Sequence, residues 1–169
     1  MSQYSITLRD ALLAAMKSSL GSTLQMTLYN SATGTIPATA DEVLTSLLST
    51  DITKLCVLTA NAGSSPGMTF GTPASGIINK TGAETWQSNA TIGAFTGFQS
   101  GASALPAHFF RLCVYGNDGS AGDTGSTAIF QGTVGTVAGV FDLYLPTATI
   151  TVGTQVGPVS AFQVVDGNG

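Results

Sequence analysis

Charge is what this sequence has least of. Only 8% of its 169 residues are Asp, Glu, Lys or Arg, where a soluble domain typically carries about 25%. The five basic residues, Arg9, Lys17, Lys54, Lys80 and Arg111, are scattered along the chain, and the net charge is −4. Binding to nucleic acid relies on clustered Lys and Arg that displace counterions from phosphates, so no nucleic-acid partner is expected. No run approaches the roughly 20 apolar residues that a helix needs to cross a bilayer, so no membrane partner is expected either. The N-terminus, MSQYSITLRDALLAAMKSSLG, has no basic start ahead of its short apolar stretch. It does not read as a signal peptide, and the chain is expected to be made and kept in the cytoplasm.

Metal-binding and redox residues are equally scarce. The chain has two cysteines and one histidine. Cys56 in KLCVLT and Cys113 in RLCVYG sit inside apolar runs, without a second Cys or a His at metal spacing. Both are expected to be buried free thiols. His108 would have to be the base of any Ser–His–Asp site. No GxSxG elbow accompanies it, so a structural or solvent-exposed role is expected. A glycosidase needs two carboxylates across a cleft. Glu84 and Asp142 are the best-placed pair, but a single tryptophan, Trp86, leaves little to wall a sugar cleft. The expected reading is a protein without catalytic residues, metal or cofactor.

What the chain does have is apolar content, at 43%, and 21 glycines. That excludes a disordered polymer and is enough for one domain with a real core. Its polar surface must come from Ser, Thr, Asn and Gln. Such a surface repels neighbouring copies weakly and suits an assembled β-protein.

Residues 6–20 carry Ile6, Leu8, Leu12, Leu13 and Met16 at helical spacing, with Ser5 or Thr7 as cap and Gly21 as stop. A second helix is expected at 39–49, although a strand would also fit. The remainder reads as strands at 24–29, 53–60, 84–95, 108–115, 127–134, 139–145, 148–153 and 160–165, punctuated by turn residues. In the first of these, Leu24, Met26 and Leu28 alternate with Gln25, Thr27 and Tyr29, which predicts a half-buried strand. The stretches 62–67 and 95–107 read as loops. The fold class expected is mainly β: an antiparallel β-sandwich, jelly-roll-like or immunoglobulin-like, with an N-terminal helix. All of 1–169 forms one domain, with a short arm at 1–5.

The acidic, Gly-rich NDGSAGD at 117–123 raises a sharper question. Calcium takes about six to eight oxygen ligands, and Asp118 and Asp123 are the only carboxylates present. No Lys follows the glycines, as a phosphate loop requires. A scaffold hairpin between two apolar strands needs only what is there.

The order of segments carries a resemblance over nearly the whole chain: LRDALLAAM, LQMTLYN, GTIPATADE, KLCVLTA, HFFRLCVYG, the acidic Gly turn, IFQGTVG and a final pair of strands at 148–165. In this order the chain resembles small structural proteins encoded in the head-morphogenesis regions of tailed bacteriophages. Several of these resemble capsid cement or decoration proteins, β-sandwiches bound outside an HK97-type shell. The longer 62–107 region departs from the pattern. The resemblance implies a virion protein on the capsid exterior, assembled in the host bacterial cytoplasm. Its implied partners are the major capsid protein and itself, as dimer or trimer. The expected contacts are the N-terminal arm, Ser2, Gln3 and Tyr4, and the aromatic-bearing loop with Phe95, Phe98 and Leu105. A phage tail, spike or adhesion recognition module is the alternative, and an enzyme using Glu84, Asp142 or His108 is the third reading.

Overall fold

The structure, a computed structural model, describes residues 4–63, 68–81, 84–89, 91–123, 127–138, 140–159 and 161–165. Its one described helix, α1, is Ile6–Leu20. Ser5 caps it by accepting the Leu8 amide at 3.4 Å, and Gly21 ends it with a left-handed φ of 96°, open to glycine without a Cβ penalty.

The strands run β1 (Leu24–Ser31), β2 (Ile52–Ala60), β3 (Ile77–Asn79), β4 (Trp86–Gln87), β5 (Thr96–Gly97), β6 (Ala104–Pro106), β7 (Phe109–Val114), β8 (Phe130–Gly135), β9 (Leu143–Tyr144), β10 (Thr149–Thr151) and β11 (Gln163–Val165). The fold is mainly β, with one curled principal sheet ordered β4-β2-β1-β7-β8-β9, to which β5 adds at the edge of β2. Its pairs are antiparallel except β8 with β9. Two ribbons, β10–β6 and β11–β3, complete the strands.

β1 is buried along its whole length, not half-buried as its alternation predicts. One face carries Leu24, Met26 and Leu28. They join Leu58, Phe110, Leu112, Trp86, Phe70 and Phe162 in the main core, which Ile78 of β3, Ile150 of β10 and Leu13 and Leu20 of α1 close from the other side. The opposite face carries Gln25, Thr27 and Tyr29, and it is buried as well. Residues 36–48 cover it, with Leu44 packed on Tyr29, Ile52 and Phe109. Polar residues on this face read as solvent-facing in the sequence because their cover is an irregular segment, which has no periodicity to reveal it.

That cover replaces the helix expected at 39–49. The amides of Leu44 and Thr45 donate to the Ser120 carbonyl at 2.6 and 3.2 Å rather than into a helical ladder. The carbonyls of Thr39 and Glu42 accept from Arg111 instead. Tertiary partners overrode a marginal propensity.

The strand expected at 84–95 shortens to β4, because the chain beyond it hydrogen-bonds to the segment at 154–156. The 139–145 strand shortens to β9. The 95–107 stretch, expected as a loop, contains β5 and β6. Cys56 and Cys113 are free and buried, and burial pushes each thiol up to about 12.

Candidate functional site

The acidic turn after β7 is a scaffold element held from three directions. Asn117 and Asp118 accept the amides of Gly119 and Ser120 at 2.7 and 3.0 Å, the Asx geometry typical of such turns. Lys54 of β2 donates to Asp118 Oδ2 at 2.7 Å. The Tyr29 hydroxyl donates to the Asp118 carbonyl at 2.7 Å. Burial resists ionisation of Asp118, but the bonds from Lys54 and Ser120 outweigh it and hold the carboxyl below its usual range. Tyr29 shifts the other way: burial, with the Asp118 charge adding to it, pushes the phenol well above its ordinary value. Gly119 has a φ of 76°, and a Cβ there would sit 2.8 Å from the Cys113 Sγ, so only glycine lets the turn lie against β7.

Arg111 organises this face, and the sequence reading missed it. Its side chain is fully buried on a cross-strand row with Thr27 of β1 and Gln131 of β8. Nε donates to Gln131 Oε1 at 2.9 Å. Nη1 donates to the carbonyls of Glu42 and Gly119 at 2.8 and 2.6 Å, and Nη2 to that of Thr39 at 3.3 Å. Burial lowers its pKa, opposed by the nearby Tyr29. One planar cation with five donors thus ties the 39–42 segment and the acidic turn to the sheet. The signal was present: Arg111 is the one full charge within HFFRLCVY.

The residues considered for catalysis are engaged elsewhere. Glu84 accepts from the Thr69 amide at 2.8 Å, the Thr69 hydroxyl and Trp86 Nε1 at 3.2 Å. Asp142 accepts from the Thr133 amide and hydroxyl, both at 2.8 Å. Among the described residues, the groove beside Asp142 has no second carboxylate in its lining. His108 Nδ1 accepts the Ser31 amide at 3.1 Å.

The expected contact residues separate. Ser2 and Gln3 lie outside the described residues. Tyr4 is exposed. Phe95 is 2% exposed and belongs to the main core, whereas Phe98 is 50% exposed. Strand β5 explains the split, because pairing of Thr96 and Gly97 with β2 fixes the backbone so that the ring before it turns inward. Leu105 is partly buried against the core, opposite Ile150. Phe95 is therefore core and unavailable as a contact.

Two exposed apolar regions were not legible. The first is the outer face of α1. Leu13 and Leu20 face the core, while Ile6, Leu8 and Leu12 are exposed. The charges of the helix are turned to its own domain: Asp10 accepts the Gly76 amide at 2.6 Å, Lys17 donates to the Gly71 carbonyl at 2.9 Å, and the Arg9 guanidinium lies against Gly76. Leu8, Leu12 and Ala15 then form an uncharged stripe. The second region is the crossing from β8 to β9, where Val137, Val140, Phe141 and Tyr144 are exposed beside an open groove of about 800 Å³. Comparison with known proteins gives no match: no family model, no curated protein and no solved structure is similar to this chain.

Proposed function

We propose that this is a structural virion protein that binds the outer surface of an HK97-type phage capsid as cement, stabilising the expanded shell. In this reading the principal sheet and the two ribbons form the layers of a jelly-roll-like or immunoglobulin-like sandwich, which serves as a rigid body. The observation that supports the reading best is the outer face of α1. It presents Leu8 and Leu12 on a side from which every charge of the helix has been withdrawn. A helix that needed only to cap its own core would place those charges outward. Tyr4, in the arm at 1–5, is exposed as well.

Capsid attachment through this face draws on apolar burial. Copies that pair as a dimer or trimer engage several capsid subunits at once, and weak single contacts add through effective concentration. A protein with higher affinity for the expanded lattice than for the procapsid shifts the shell toward expansion.

Co-sedimentation of the full chain with expanded capsids and with procapsids tests this. Saturable binding at a fixed ratio to the major capsid protein, stronger on expanded shells, is expected. The double variant Leu8→Ser/Leu12→Ser should stay folded by circular dichroism and lose that binding. Absence of binding to either particle overturns the assignment.

A further inference from the structure

We propose that the groove between the β8–β9 crossing and the β11–β3 ribbon binds a neutral oligosaccharide. Its two walls differ in chemistry. On one side stand the rings of Phe141 and Tyr144, Tyr144 being 47% exposed. On the other, Asn79 and Gln163 are direct cross-strand partners and line the groove together. Neither side-chain amide makes a hydrogen bond to another group among the described residues. An unengaged amide offers both donors and an acceptor, which is what sugar hydroxyls require. An aromatic face supplies a flat apolar surface for the C–H face of a pyranose ring. The volume of about 800 Å³ is within the roughly 300–1,000 Å³ usual for ligand sites and accommodates a short oligosaccharide.

The site is prearranged by glycine. A Cβ on Gly135 would overlap the Phe141 ring, and one on Gly132 would lie 2.9 Å from the Asp142 Cβ. Their absence lets Phe141 and Asp142 lie flat along β8, where Asp142 and Thr133 exchange hydrogen bonds.

Charge and edge geometry select this occupant. The lining contains no Lys or Arg to hold an anion, and its one carboxylate among the described residues, Asp142, already accepts two hydrogen bonds. A peptide strand adding to β8 would need its outer ladder. There the Thr133 amide is bonded to Asp142, and Val134 and Gly135 already pair with β9. A neutral, hydroxyl-rich ligand meets neither obstacle.

The test is titration of the ¹⁵N-labelled full chain with maltotriose, cellotriose and triacetylchitotriose, followed by amide shifts. At least one should give saturable shifts centred on Asn79, Tyr144 and Gln163. Tyr144→Ala and Gln163→Ala, both at exposed positions, should each weaken binding about tenfold through the lost stacking or hydrogen bonds. The Leu8→Ser/Leu12→Ser variant should bind the sugar unchanged, and the groove variants should still co-sediment with capsids, so the two assignments stand or fall separately. The proposal is overturned if all three sugars give no saturable shifts at millimolar concentration. It is equally overturned if Tyr144→Ala binds like the parent chain, or if an apolar peptide saturates the same amides and no sugar displaces it.

Discussion

Arg111 has no carboxylate within its hydrogen-bonding set; its partners are three backbone carbonyls and one side-chain amide. This distinguishes it from a buried ion pair, which apolar residues can often replace without loss. Truncation here strands acceptors that belong to the backbone and cannot be mutated away, and each unmet buried acceptor costs about 1–3 kcal/mol. Arg111→Met should therefore destabilise the fold by about 3 kcal/mol and lower the melting temperature by about 10 °C. Arg111→Lys should recover part of this, since one ammonium can reach some of the carbonyls but lacks the planar fork. Thermal denaturation of the three proteins checks the order; a Met variant as stable as the parent would show that the 39–42 segment holds without its cation. The sequence made Arg111 conspicuous as a lone charge in an apolar strand. It could not disclose its partners, because carbonyls at 39, 42 and 119 carry no residue-type signature. The same holds for Phe95 and Phe98, two rings three positions apart whose opposite fates depend on two residues of β5.

The turn at 117–122 behaves as a latch between the ends of the sheet and its irregular cover. Lys54 fastens it from β2, and the Ser120 carbonyl in turn holds Leu44. Because the Asp118 carboxyl is held below its usual range, the folded state binds a proton there less readily than the unfolded chain does. The latch is therefore fully formed above the unfolded carboxylate pKa of about 3.9 and is lost as pH falls through the lower folded value. Asp118→Asn should melt below the parent at neutral pH, and the gap should close in strong acid. A constant gap across the whole range would mean that the charge contributes nothing. This element was legible as a turn between two apolar strands, and β7 and β8 on either side of it do pair antiparallel. Helix α1 was legible from its apolar spacing, its Ser5 cap and its Gly21 stop, although Leu8 and Leu12 turn outward rather than onto the core, and β1, β2 and β7 were legible from their apolar runs. The 39–49 segment was not. Its helical spacing is real, but the amides of Leu44 and Thr45 and the carbonyls of Thr39 and Glu42 bond to Ser120 and Arg111, far away in sequence. Strands β3, β5, β6 and β9 are two or three residues long, too short for periodicity to register.

Seen as a whole, the molecule keeps its few charges for internal fastening: Lys54 to Asp118, Lys17 and Asp10 to the 71–76 segment, Lys80 to the carbonyls of Thr81 and Glu84, and Arg111 to the cover. Among the described residues, the surfaces offered to a partner include an apolar stripe on α1, a groove of rings and amides, and the exposed Phe98. This division gives the proposed capsid attachment a definite signature. Salt shortens the Debye length from about 10 Å at about 0.1 M to about 3 Å at about 1 M, and an interface steered by charge weakens steeply over that range. Attachment through Leu8 and Leu12 should change less than about twofold in affinity across it, because apolar burial does not depend on long-range charge. It should also strengthen in sulfate and show a negative heat-capacity change, so that cooling the complex weakens it. Titration calorimetry on expanded capsids at two salt concentrations and three temperatures measures all of these. A steep loss of affinity with added salt would transfer the contact from α1 to exposed acidic or basic side chains, and the outer face of the helix would then need another occupant.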